Sequence, residues 1–258
     1  MLLPIWVLFL SLGNAADTLR IAPCDEAVMN LFGDLITLSR SDGALRRYTE
    51  GTLKNLYTGK GFGDKIILQD PLRPVLDEPD NIYVLDIAGE RIVAWDRFLN
   101  VRSVTPLKNG IVSPAEFTVT SEHDWLIYDD FKSEIVQIRP RENTSFPWGD
   151  RPVSGEIRLQ AIEQGVFLYL KDLRRLRISD VGGTTLKEYA LPDSLSVLTV
   201  IPLNRTEFGL VCPDGTYLWK PERADCRYLS GLQDVIFLRA ENNSHILINR
   251  RGVIVHIP

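Results

Sequence analysis

Few side chains here have the types and spacing that chemistry demands. A nucleophile needs a base beside it, and the three histidines are His123, in a loop, and His245 and His256, on the last two strands. A turn at residues 250–252 would set His245 and His256 roughly opposite each other on two strands, an arrangement that can bind metal. No third ligand accompanies them, and two ligands make a weak site. Asp129, Asp130 and Glu134 are of the carboxylate type that holds Ca²⁺. They lack the EF-hand spacing, and an Asx-turn with solvated charge accounts for them better. Residues 59–64, GKGFGD, lack the GK[ST] ending of a phosphate loop and open no helix that would aim amides at an anion. Arg174, Arg175 and Arg177 alternate along a strand and so split between its faces. There is no HExxH and no CxxC, and nothing calls for a metal or cofactor.

The elements that position these residues are hairpins. Turn-centred apolar pairs occupy residues 35–48, 82–95, 125–138, 166–178, 207–219 and 245–257. The middles of their first strands, Ile36, Val84, Ile127, Leu168, Gly209 and Leu247, are separated by 48, 43, 41, 41 and 38 residues. A period near 40 with about four short strands per unit is the signature of propeller blades. Another strand candidate precedes each hairpin, at residues 27–31, 73–76, 115–120, 157–162, 197–203 and 235–239. A fourth follows five of them, at residues 52–58, 101–105, 144–148, 186–191 and 226–229. We name the four A to D, from the axis outward. The sixth unit stops after its C strand, and residues 18–22, TLRIA, form an orphan strand ahead of the first unit. Pairing the two completes blade six and removes an open edge. The expected fold is therefore all-β: a six-bladed β-propeller over residues 16–258, with blades of four antiparallel strands and the last blade closed by the N-terminal strand. Residues 51–69 make the first unit long and leave room for a functional loop.

Residues 70–96, DPLRPVLDEPDNIYVLDIAGERIVAWD, carry an Asp-Pro opening, an IYVLD strand, a turn and an RIVAWD strand. This unit resembles the NHL-type repeat of six-bladed propellers; LIYDDFKSEIVQI in the third unit matches more loosely. The resemblance implies fold and no particular activity, because the superfamily serves many functions. Asp86 and Asp129 close their B strands and are expected to accept hydrogen bonds from turn amides, with Asn249 and Ser39 in the same place. Trp95, Trp125 and Trp219 read as packing between blades.

Alternating strands sort the loops by face. The A–B and C–D connections form an acidic face, with Asp34, Asp77, Glu78, Glu122, Glu142 and Glu222 among its acids and sequons at Asn143, Asn204 and Asn242 that a eukaryotic secretory route could glycosylate. The B–C turns and inter-blade links form a mixed face. Arg40, Arg250 and Arg251 adjoin there after closure; Asp129, Asp130, Phe131, Lys132 and Arg174 come from units three and four; Phe62 and Trp148 add aromatics. Charges of both signs with exposed aromatics suit a binding surface. Cys212 and Cys226 fall at opposite ends of one C strand, about 15 Å apart, and Cys24 on another blade, so no intrachain disulfide is expected.

Residues 1–15 read as a signal peptide: an apolar run from Leu2 to Leu12, then Gly13-Asn14-Ala15, although no Lys or Arg precedes the run. The mature chain is then secreted or periplasmic with no membrane span. A net charge of −5 argues against a nucleic-acid partner. The A strands supply mostly apolar residues, with Asn30 and Gln160 near the axis. The reading is a non-enzymatic binding or scaffold module with a protein or glycan partner. The alternative is a six-bladed propeller hydrolase of the Ca²⁺-dependent lactonase-like type, whose acids, amides or histidines would converge in the channel.

Overall fold

The computed structural model describes residues 18–59, 66–77, 80–107, 110–142, 144–149, 153–163, 165–241 and 244–257. The expected signal peptide, Phe62, Glu78 and the sequon residues Asn143 and Asn242 lie outside them. Six four-stranded antiparallel sheets follow one another around an axis, and the fold is a six-bladed β-propeller. The innermost, A strands are Glu26–Met29, Val75–Leu76, Pro114–Val119, Ile157–Ile162, Thr199–Pro202 and Val235–Glu241. The described residues include no α-helix; one 3₁₀ turn, Pro221–Arg223, joins strands C and D of blade five.

The B strands explain the continuous apolar runs. Leu35–Ser39, Trp125–Asp129 and Phe208–Cys212 are buried at every position, because neighbouring blades cover both faces. The core is therefore divided into seams between blades. The seam of blades one and two gathers Ile36, Leu38, Ile82, Val84 and Trp95, with Tyr57 edge-on to Trp95 at 5.3 Å. Trp125 and Trp219 fill later seams. The outer D strands are largely exposed to solvent, as Val101–Pro106 shows.

Closure follows the expected pairing. Thr18–Arg20 adds to the outer edge of blade six, with Thr18 opposite Val255 and Arg20 opposite Val253. The strand is two residues shorter than expected, but the Ile21 amide still donates to Gly252 O at 2.9 Å. The sixth seam, with Ala27, Leu35, Tyr48, Ile246 and Ile248, forms only because this circle closes. The three cysteines are free, and Cys212 and Cys226 pair with opposite ends of their C strand, at Gly215 and Trp219.

The histidine register differs from expectation. His245 pairs with Ile257 and His256 with Ile246, one position out of alignment. A one-residue offset sends two side chains to opposite faces of a sheet, so His245 is buried, His256 is exposed, and the two do not meet.

A chain beginning at Ile21 should lose about 2 kcal/mol of ladder hydrogen bonding and roughly 4–8 °C in Tm, with concentration-dependent association through the bared edge of Val253–Ile257. Calorimetry and size-exclusion chromatography check this; an unchanged midpoint and a monodisperse chain would refute it.

Candidate functional site

The A strands carry charge into the channel. Glu26 pairs with Leu38, Glu116 with Tyr128 and Arg158 with Tyr169, each partner standing one residue before its B strand's end. Arg73 takes the corresponding place in blade two, two residues before Val75. Blades one to four thus contribute Glu, Arg, Glu, Arg at one level. Blade five contributes Thr199, opposite Val211, and blade six Phe237, opposite Ile248.

These groups bind one another. Arg158 Nη2 reaches Glu26 Oε2 at 3.2 Å, joining the opposed blades four and one across the axis. Arg40, from the B–C turn of blade one, reaches the other oxygen of Glu26 at 3.2 Å. Arg73 Nη2 lies 3.1 Å from Glu116 Oε2 and donates to Phe117 O. The Leu159 amide also donates to Glu116. Above them opens a recess of about 510 Å³, lined further by Tyr128, Asp130 and Glu156.

Burial alone would raise the carboxyl of Glu26, but the charges of Arg158, Arg73 and Arg40 outweigh it and hold its pKa below the ordinary glutamate value. Burial, reinforced by the like charge of Arg158, pushes Arg73 down to about 10. Burial also opposes the charge of Arg158, yet Glu26 and Glu116 raise its pKa overall. Proton transfer at neutral pH needs a group poised near 7. This set is instead one of fixed charges.

The residues singled out in the sequence divide between the surface and the framework. Arg40 lines the recess, and its amide donates to Asp25 Oδ2 at 2.8 Å. Asp130 lines it too and accepts from the Tyr128 hydroxyl at 3.2 Å. Phe131 follows at 75 % exposure, and Lys132 is exposed beside Glu134. Arg250 and Arg251 are exposed; the Cys24 amide donates to Arg250 O, so the link Cys24-Asp25 ties their turn to that of Arg40.

Three others serve the framework. Trp148 is only 5 % exposed, wedged between blades three and four with its indole N–H donating to Val181 O at 2.8 Å. Arg174 donates from Nη2 to Pro192 O and Leu195 O, pinning the link into blade five. Asp129 is fully buried and accepts from the amides of Val112 and Ser113 at 2.8 and 3.1 Å. Asp86 likewise accepts from Gln69 and Asp70 at 2.9 and 3.0 Å and pairs with Arg91. These two aspartates bond the incoming inter-blade link rather than their own turns. Asn249 bonds its own turn, accepting from Arg251 and Val253.

The backbone is similar to propellers of differing function. The β-propeller domain of Cps50 (Swd1) from Myceliophteria thermophila matches with a TM-score of 0.66 at 11 % identity, over 94 % of this chain and 98 % of that one. Virginiamycin B lyase from Staphylococcus aureus matches at 0.61 and 8 % identity, over 95 % and 88 %. The WD40 repeats of RRP9 match at 0.61 and 9 % identity, over 94 % and 97 %. No protein-family model and no curated protein matches the chain. One enzyme and two propeller domains without a stated activity share this backbone, so the likeness shows the fold alone.

Sequence reasoning missed Glu26, Arg73, Glu116 and Arg158 and took the A strands to be mostly apolar near the axis. Their signal was available: spacings of 47, 43 and 42 residues follow the blade period.

Glu26→Gln should cost roughly 3 kcal/mol, the low end for breaking a buried ion pair. Because Glu26 is depressed in the folded state, its contribution is complete above its unfolded pKa, near 4.3, and is lost as pH falls through the lower folded value. The variant's stability should therefore fall less steeply below about pH 4. Urea melts across pH test this; parallel acid limbs would refute it. Asp129→Asn, which replaces one accepting oxygen by a donor facing an amide, should cost about 1–3 kcal/mol with an unchanged m-value; a loss under about 0.5 kcal/mol would refute the tether.

Proposed function

We propose that this chain is a non-enzymatic binding module that engages a protein partner with its B–C and inter-blade face, over the charged channel mouth. One observation carries the reading. Phe131 and Leu173, on the B–C turns of adjoining blades, are 75 % and 60 % exposed beside the recess. Exposed apolar anchors next to oriented charge are what a hot spot needs. Arg40, Asp130, Lys132 and Glu156 supply the rim. The apolar run and small residues of 1–15 support work outside the cytoplasm, in a secreted or periplasmic setting.

A Ca²⁺-dependent hydrolase is the second reading, favoured by the convergence of Glu26 and Glu116 on the axis. Against it, both oxygens of Glu26 are engaged by guanidiniums, and Glu116 is engaged by Arg73 and an amide. Among the described residues no three His, Cys, Asp or Glu side chains gather as a ligand set.

The partner should come from the organism's own envelope or secretome by affinity capture on the mature domain. Phe131→Asp with Leu173→Asp, and Arg250→Glu with Arg251→Glu, should each weaken its binding by roughly tenfold or more, while Glu122→Lys on the opposite face leaves it unchanged. Equal losses from both faces would sink the reading.

A further inference from the structure

The acidic face carries one cluster of opposite character. Leu31 and Phe32, in the A–B turn of blade one, are 77 % and 67 % exposed, and Phe98, in the C–D turn of blade two, is also exposed. Both turns are rigidly held. Asn30 Oδ1 accepts from the amides of Phe32 and Asp34 at 3.0 and 2.8 Å. Asp96 Oδ1 accepts from Phe98 and Asn100 at 2.8 and 2.9 Å, and Asn100 Nδ2 returns a bond to Asp96 Oδ2. Leu31 N donates to Asp80 Oδ1 across the blade boundary. Apolar side chains on such turns lose little entropy when a partner covers them.

The guanidinium of Arg97 lies between the two rings, 4.8 Å from the centroid of Phe32 and 4.6 Å from that of Phe98. Arg47 also lies over Phe98, but its N–H groups are committed to Asp34 and Asn55. Arg97 differs: no salt bridge joins it to an acid among the described residues. A guanidinium stacked by aromatics keeps its N–H edge for a planar, bidentate acceptor. The cluster therefore offers a seat for a carboxylate with apolar contact on either side.

We propose that Leu31, Phe32, Arg97 and Phe98 form a second docking site, which takes a protein segment bearing an aspartate or glutamate next to a large apolar residue. The carboxylate meets the edge of Arg97, and the apolar side chain covers Leu31 and Phe32. Charge complementarity selects this occupant. An anionic bilayer could also take exposed apolar tips beside an arginine. A bilayer is extended and would have to lie over the exposed Glu50, Glu122, Glu142 and Glu163 of the same face, whereas one carboxylate on a short segment meets only the edge of Arg97. The site lies on the opposite face from the one proposed above, and neither depends on the other.

Selection of displayed random peptides on the folded domain tests this. Wild type should enrich peptides with an acid beside Leu, Phe or Trp. Measured by fluorescence anisotropy on one such synthetic peptide, Phe32→Ala and Arg97→Glu should each weaken binding by roughly tenfold or more. Phe131→Asp with Leu173→Asp should leave it unchanged. All four positions are on surface turns, and unchanged melting curves would establish that the variants fold. Exchanging the peptide's acid for lysine should restore binding to Arg97→Glu alone. No acidic–apolar enrichment, or enriched peptides that bind Arg97→Glu and wild type equally, would overturn the proposal. So would phosphatidylserine vesicles binding wild type and losing Arg97→Glu while the peptides bind neither.

Discussion

Everything in this molecule depends on one short antiparallel pairing. Three residues near the start of the described chain, Thr18–Arg20, complete the sheet made by its end, Val253–Ile257. The apolar seams lie between the facing sheets of neighbouring blades, so each blade is covered only when it has a neighbour on both sides. An open ring would expose the seam of Ala27, Leu35, Ile246 and Ile248 and leave the edge of blade six unpaired. Closure also sets blade one opposite blade four. The ion pair between Glu26 and Arg158, 132 residues apart, exists because of that placement.

The ion network at the axis answers a problem the ring creates. Six innermost strands converge on a narrow channel, and their inward side chains must either fill it or satisfy one another. Blades five and six supply Thr199 and Phe237 at this level, while blades one to four alternate acid and base. Burying charge costs several kcal/mol per ion unless it is paired. The alternation meets that condition, since each glutamate lies against a guanidinium and Arg40 adds a second to Glu26. The result is a polar plug with fixed charges below the face that carries Phe131 and Leu173.

The aspartates that end strand B show how one residue type serves two local purposes. Asp86, through Oδ1 alone, and Asp129, through both carboxylate oxygens, accept from amides sixteen and seventeen residues upstream and so lock each inter-blade link against the next turn. In blade six the backbone bond to the link is the same, the Arg250 amide donating to Asp234 O as Ile87 does to Asp70 O and Asp130 to Ser113 O, but the side chain of Asn249 caps its own turn. The repeat conserves a position in space while its bonding partner changes with the length and path of the loop.

The sequence by itself determined the blade count, the four-stranded units and the closing strand. Those follow from local physics: apolar runs bounded by turn residues, repeated at nearly constant spacing. It also placed the tryptophans in the seams, since large apolar residues in strands have no other refuge. Tertiary structure decided the rest. Whether Glu26 and Arg158 meet depends on which side of strand A faces the axis and which blades oppose each other, and neither is a local property. The separation of His245 from His256 turned on a one-residue register difference. Trp148, read as surface, is buried because the neighbouring blade's Val181 carbonyl comes to meet it. Arg97 could be recognised as a stacked cation only once a turn of blade one and a turn of blade two were seen side by side, because residues 32 and 98 share no element and are brought together by the packing of two blades alone.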